Sequence, residues 1–236
     1  MTRLSININK LATIRNARGG NIPDIINAAK KCQLYGADGI TIHPRPDQRH
    51  ITRQDAYDLK DVITTEYNIE GYPSSDFISM VIDILPDQVT LVPDSEDVIT
   101  SNNGWDTLKN RSMLEEVISE FKKYNIRTSV FVNPEVKMIE GARLCNSDRI
   151  ELYTEAYSTA YRKNKGEAIL PYIEAAKKAK ECDLKVNAGH DLNMQNLSYF
   201  VKEIENIAEV SIGHALISDA IYLGLENTIQ MYKRLL

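Results

Sequence analysis

The sequence predicts an α/β protein, a (β/α)8 TIM barrel forming a single domain over residues 1–236 with short extra helices. Three observations lead there. Eight β-rich runs recur along the chain, each followed by a stretch with helical periodicity, and no linker or low-complexity segment divides them. All four histidines fall at or just after the carboxyl end of an expected strand. The length of 236 residues is close to that of one such barrel.

Taken in order, the expected strands are Leu4–Ile8, Gly39–His43, Tyr67–Glu70, Gln88–Val92, Thr128–Val132, Arg149–Tyr153, Leu184–Ala188 and Glu209–Gly213. Between them apolar residues repeat at i, i+3, i+4 and i+7, the spacing that lines one face of a helix. Ile22, Ile25, Ile26 and Ala29 do so in the first helix, Leu114, Val117, Ile118 and Phe121 in the fourth, and Ile169, Tyr172, Ile173 and Ala176 in the sixth. The third helix, from about Ser74 to Asp83, has a weaker pattern, and the fifth, near Pro134–Arg143, is short. Such alternation favours a parallel sheet with crossover helices, and eight units close naturally into a barrel. A doubly wound open sheet is the alternative. It would need a ligand cleft at a topological switch point, and no Gly-x-Gly-x-x-Gly follows the first strand.

Composition excludes several functions. A net charge of −5 argues against nucleic acid and against a polybasic membrane patch. No apolar run approaches the roughly 18 residues of a membrane span, and the first residues hold no signal-peptide core, so a cytoplasmic protein is expected. Cys32, Cys145 and Cys182 are scattered without metal-ligand spacing and are expected to be buried thiols in a reducing compartment.

Chemistry in such a barrel sits at the carboxyl ends of the strands and in the loops beyond them. His43 ends the second strand and His50 lies in the loop after it; His190 follows the seventh strand and His214 the eighth. None is expected on a helix face. Asn7, Glu70 and Glu151 cluster at the same rim. One histidine at a strand end is more often structural, but four on one rim point to a site. Histidine and glutamate suit proton transfer near neutral pH, because modest environmental shifts bring them into range. A zinc hydrolase would also use several histidines, yet there is neither a His-x-His pair after the first strand nor a His-Glu-x-x-His helix, so no metal is expected.

Basic side chains are uneven too. Arg15 and Arg18 are expected in a loop after the first strand, and Arg45 and Arg49 beside His50. Guanidinium forks bind phosphate oxygens bidentately, although about half of these four would serve as ordinary surface salt bridges. Gly189 and Gly213, at the ends of the seventh and eighth strands, let a backbone approach a ligand where barrels commonly hold phosphate. Two anion sites are thus expected on opposite sides of one mouth, with His43, Glu70 and His190 between them.

Six segments, in order along the chain, carry a resemblance. Asn7-Ile-Asn-Lys-Leu-Ala-Thr-Ile-Arg-Asn-Ala-Arg-Gly opens it, and Gly36-Ala-Asp-Gly-Ile-Thr-Ile-His-Pro-Arg-Pro-Asp-Gln-Arg-His-Ile is its most specific part; Asn68-Ile-Glu, Leu91-Val-Pro, Val186-Asn-Ala-Gly-His and Ile212-Gly-His-Ala follow. Together they resemble the pyridoxine 5′-phosphate synthase family over essentially the whole chain. The resemblance implies condensation of 3-amino-2-oxopropyl phosphate with 1-deoxy-D-xylulose 5-phosphate to pyridoxine 5′-phosphate, phosphate and water, without a cofactor. It implies His43 and Glu70 as proton acceptors and His190 as proton donor. Asn7, Arg18, Gly213 and His214 match the aminoketone-phosphate site, and Arg45, His50 and Thr100 the sugar-phosphate site. Homo-oligomers, often octamers built from dimers, are implied as well.

Three positions depart from the commoner family pattern. Many members read Asn-Ile-Asp-His where this chain has Asn7-Ile8-Asn9-Lys10, and Gly-His-Gly where it has Gly189-His190-Asp191. Lys10 is expected to act as a point-charge partner of phosphate beside the amide of Asn9. Asp191 is expected to serve the ligand through its backbone N–H. The segment Thr90–Trp105 is the expected lid. The competing enzyme class, another phosphate-handling barrel such as an isomerase or aldolase, would be favoured by a reactive lysine at a strand end. Lys185 is the nearest candidate and lies early in its strand.

Overall fold

The computed structural model describes residues 2–93 and 103–236. Eight parallel strands close in sequence order: β1 (Arg3–Asn7), β2 (Gly39–Ile42), β3 (Glu66–Gly71), β4 (Gln88–Leu91), β5 (Arg127–Val132), β6 (Arg149–Leu152), β7 (Lys185–Gly189) and β8 (Ile207–Ile212), with β8 pairing back onto β1. The expected barrel is therefore observed, with strand ends shifted by a residue or two.

Eleven helices surround it among the described residues, three more than a minimal barrel needs. They are α1 (Asn9–Asn16), α2 (Ile25–Leu34), α3 (Arg53–Lys60), α4 (Ser75–Ile84), α5 (Arg111–Lys123), α6 (Val136–Leu144), α7 (Glu155–Ala168), α8 (Leu170–Glu181), α9 (Leu197–Glu203), α10 (His214–Leu223) and α11 (Leu225–Lys233). The periodic faces point inward as expected: Leu114, Val117, Ile118 and Phe121 of α5 are all buried, as are Tyr172 and Ala176 of α8. Ile22 does not follow its pattern. Asp24 caps α2 by accepting from the Asn27 N–H, so Ile22 lies before the helix and is 85% exposed. None of these helices is long and apolar enough to cross a membrane. Cys32 and Cys145 are buried and Cys182 is half-buried; all three are free thiols.

The stretch after β1 is a helix, α1, where a loop was expected. Arg15 lies on its inner face, 7% exposed, and its guanidinium grips Asp55 bidentately at 2.6 and 2.8 Å. Asp55 in turn closes a capping box with Thr52 at the start of α3. Arg15 is therefore a strut between two helices and is not an anion ligand.

Strand residues alternate between two faces. Leu4 and Ile6, Ile40 and Ile42, Val130 and Val132, Ile150 and Leu152 are buried beneath the helices. The opposite faces fill the barrel, and they are polar. Ser5, Thr41, Asn68 and Thr90 form a fully buried chain of side-chain hydrogen bonds at 2.7, 3.3 and 3.1 Å. Below it, Arg3, Arg127 and Arg149 surround Glu66 and Glu209, with Arg149 Nη1 3.5 Å from Glu209 and Arg3 Nη1 2.5 Å from Glu66. A barrel filled this way holds register through hydrogen bonds where most use branched apolar layers. Its uppermost inward layer carries Asn7, Glu70, Phe131 and Glu151, which opens into the site.

Candidate active site

A cavity of about 330 Å³ occupies the carboxyl-end mouth of the barrel, and it gathers side chains from distant parts of the chain. Asn7, Asn9, Lys10, His43, Arg45, His50, Glu70, His190, Gly213 and His214 all line it, together with Arg49 and Glu151.

Backbone and side-chain bonds hold this rim in order. The Asn9 N–H donates to Asn7 Oδ1 at 3.1 Å, and Asn9 Oδ1 accepts from the His43 N–H at 3.0 Å. Asn9 is 9% exposed and thus ties β1 to the end of β2. The Asn7 amide donates to Glu70 at 3.5 Å, linking β1 to β3. His50 is fixed from both sides: Arg15 and Asn16 donate to its carbonyl at 3.2 and 2.8 Å, and its Nδ1 accepts from the Ile51 N–H at 2.9 Å. That last bond leaves the proton of the neutral ring on Nε2.

The electrostatics separate the histidines. His43 is 8% exposed, and burial, then the nearby Arg45 and the other imidazoles, hold it well below the ordinary histidine range. Burial together with Arg45 and Lys10 brings His50 down to about 4. Both are neutral at physiological pH; His50, with Nδ1 taken by the Ile51 N–H, presents an Nε2–H donor. His190 moves the other way. Its Nδ1 lies 2.8 Å from Asp191 Oδ2, and this bond, with the charges of Asp191 and Glu151, raises it despite burial and Lys10. Groups whose environments push them apart in this way are suited to acceptor and donor roles in one site.

Glu151 projects inward from β6, 5% exposed, and burial raises it to about 7, an effect moderated by His190. Its Oε2 has no hydrogen-bond partner among the described residues. The sequence placed Glu151 at the rim without a role; only burial and the missing partner distinguish it. Phe131 also lines the cavity and packs against Tyr153, whose ring lies 6.1 Å from that of His190. Neither aromatic residue was signalled by any motif.

Two helices begin at the mouth. α1 starts at Asn9 and α10 at His214, so the positive ends of both helix dipoles meet the cavity, although in α1 the Asn9 N–H is bonded to Asn7 Oδ1 and those of Leu11 and Ala12 to the Ile8 carbonyl. His214 therefore opens a helix, contrary to the expectation that no histidine would lie on one. At Gly213 a Cβ would come within 3.0 Å of the Asn7 side chain, so glycine keeps this corner open.

Three expectations change. Arg18 is exposed and does not line the cavity. Asp191 does not line it either, and its backbone N–H is committed to the Gly189 carbonyl at 2.8 Å and Thr154 Oγ1 at 3.2 Å, which leaves none for a ligand. Gly189 answers to packing, because a Cβ there would collide with the Ser211 carbonyl. Lys185, as expected, opens β7 at the opposite end of the barrel, away from the chemistry. Thr100 and the middle of the expected lid lie outside the described residues. The flanks of that segment are anchored: Trp105 is buried, stacks on Tyr72 and donates to the Leu91 carbonyl at 3.0 Å.

Comparison with known proteins gives the family and the fold. Residues 4–236 match the family described as pyridoxal phosphate biosynthesis protein PdxJ. A protein of Cytophaga hutchinsonii named pyridoxine 5′-phosphate synthase is 62% identical over 234 residues, covering 99% of this chain and 98% of its own. One of the same name from Bacteroides fragilis is 59% identical over 236 residues and the full length of both. Among solved structures, phosphoribosyl anthranilate isomerase from Thermotoga maritima superposes with a TM-score of 0.60 at 15% identity, covering 99% of this chain and 98% of its own. The YdjI aldolase from Escherichia coli K12 gives 0.61 at 10%, covering 99% and 88%. At such identities these two likenesses concern the fold alone.

Proposed function

The chain belongs to the family of the pyridoxal phosphate biosynthesis protein PdxJ, and from that premise we propose how its barrel mouth works. The chain is an enzyme of vitamin B6 biosynthesis that condenses 3-amino-2-oxopropyl phosphate with 1-deoxy-D-xylulose 5-phosphate to pyridoxine 5′-phosphate, phosphate and water. The substrate amine forms an imine with the sugar ketone, so no enzyme lysine need act as nucleophile. The protein must then move carbon-bound protons, assist departure of phosphate and water, and hold both substrates together.

In this reading Glu70 and neutral His43 accept protons at the condensing carbons, and His190 donates to a leaving group. Buried Glu151, near its midpoint at neutral pH, stands by to stabilise positive charge as the ring closes. The sugar phosphate is held by Arg45, His50, Lys10 and the start of α1, with Thr100 assigned to the same group by resemblance. The aminoketone phosphate is held by Asn7, Gly213, His214 and the start of α10. The positive end of a helix dipole favours an anion, and two helices start in the lining of this cavity. Arg18, exposed as it is, joins the second group only through movement of its segment or assembly with another copy.

The observation that carries the reading is the meeting of His43, Glu70 and His190 in one cavity between two such helix starts. We place the enzyme in the cytoplasm as a homo-oligomer, an octamer by family resemblance; exposed Ile221, Tyr222 and Leu223 at the end of α10 offer an apolar patch for assembly. The test is incubation of purified protein with both substrates while pyridoxine 5′-phosphate is measured. Product should require both substrates, and Glu70→Gln should slow turnover by about 10²–10⁴-fold with folding intact. Near-normal turnover in that folded variant would remove Glu70 from its role.

A further inference from the structure

The turn after β7 is held more firmly than a connection requires. Thr154, fully buried, donates its hydroxyl to the Gly189 carbonyl and accepts from the Asp191 N–H. The side-chain amides of Asn193 and Asn196 each donate to the Asp191 carbonyl at 3.3 Å. His190 takes a left-handed backbone conformation, φ 53°, which a residue other than glycine rarely adopts. Adjacent side chains in extended backbone point to opposite faces. Here the left-handed residue brings two of them together, and the Asp191 carboxylate meets His190 Nδ1 at 2.8 Å. Backbone strain kept in place by this many bonds is characteristic of a functional site.

We propose that Asp191 is a positioning residue for the reaction: its carboxylate holds the Nδ1 proton of His190, so that Nε2 is the nitrogen that carries and delivers the proton to the leaving group. This inference rests on the donor role assigned to His190 above. Before the step both ring nitrogens carry hydrogen. The Nε2–H bond breaks, the proton passes to the leaving oxygen, and the ring is left neutral with Nδ1–H still bonded to Asp191. Without the carboxylate, neutral His190 is free to take the other tautomer, and the charged form loses its nearest counter-ion. The groups facing His190 are Asp191 on its own turn, Glu151 from β6, Lys10 from α1, His43 after β2 and the Tyr153 ring after β6. Lys10 opposes the proton, neutral His43 adds no charge, and Glu151 is itself partly protonated near neutral pH, so Asp191 is the nearest full negative charge.

The test compares wild type with Asp191→Asn, Asp191→Glu and His190→Asn by pH–rate profile and by ¹⁵N NMR of the imidazoles. An asparagine keeps an acceptor oxygen and removes the charge. Its loss of kcat should grow with pH, reaching roughly tenfold on the alkaline side, with KM little altered and the His190 titration moved to lower pH. Asp191→Glu should recover part of the loss. In wild type, neutral His190 should carry its proton on Nδ1, a measurement that stands even if a variant fails to fold. An alkaline limb that does not move, an equal loss at every pH, or an Nε2–H tautomer in wild type would overturn the proposal. Turnover retained by His190→Asn would instead remove the donor role, while the NMR titration would still report whether Asp191 sets the state of the ring.

Discussion

Arg45 is 7% exposed at the cavity wall, close enough to His43 and His50 to depress both imidazoles. A buried guanidinium at a cavity gains most from a doubly bonded anion, so its loss should fall on one substrate. Arg45→Ala should raise KM for the sugar phosphate roughly ten- to hundredfold and leave that of the aminoketone phosphate nearly unchanged. Steady-state kinetics with each substrate varied in turn checks this; equal effects would contradict the division into two phosphate sites. At this scale the sequence was informative where chemistry coincided with strand ends. His43, Glu70 and His190 could be placed because a barrel exposes those positions. Glu151 could not be singled out, since its character depends on burial and an unpaired oxygen. Asp191 was misread for the same reason: which side chain its carboxylate meets is set by the left-handed φ of His190, and no motif records a dihedral angle.

Short polar elements were harder to read than long amphipathic ones. α5, with four apolar residues at helical spacing, was evident. α1 reads as a loop in the sequence because its buried residues are Asn9, Ala12 and Arg15, which no hydrophobic period reveals. An ion pair ties it to α3. The Arg15–Asp55 pair has side chains only 9% and 13% exposed, and Asp55 also closes the capping box of α3. Asp55→Ala would leave a buried guanidinium without its counter-charge and open the cap, a cost of about 3 kcal/mol or more. Urea denaturation should record that loss with little change in slope. Because Arg15 and Asn16 also hold the His50 carbonyl, the folded variant should show a raised KM for the sugar phosphate. A cost below about 1 kcal/mol would mean that the pair behaves as an ordinary surface bridge.

Over the whole molecule, the barrel interior sets the response to pH. The β-rich runs mark the strands in the sequence, but they do not say which face turns inward, and a barrel usually turns the apolar one. Here the helices cover the apolar face and the polar face fills the centre. Glu209, 2% exposed, is raised to about 8 by burial and by Glu66 beside it, against the pull of Arg149 and Arg3. Folded Glu209 thus keeps a proton that the unfolded chain gives up in the ordinary carboxylate range. Its contribution to stability is complete below that range and is lost as pH rises through about 8. The melting temperature of the wild type should accordingly fall between about pH 5 and 9 by a few degrees more than that of Glu209→Gln, which mimics the protonated form. Parallel slopes would show that the folded protein accommodates the second charge at no cost.

The central claim is spatial: acceptor and donor groups stand between two phosphate sites in one mouth. A crystal structure of the inactive Glu70→Gln variant soaked with both substrates examines it directly. The expected density has one phosphate against Arg45 and His50, the other at the start of α10 beside Gly213, and reacting carbons within hydrogen-bonding reach of residue 70, His43 and His190. Both phosphates on one side of the cavity, or substrate carbons remote from these three residues, would contradict the account.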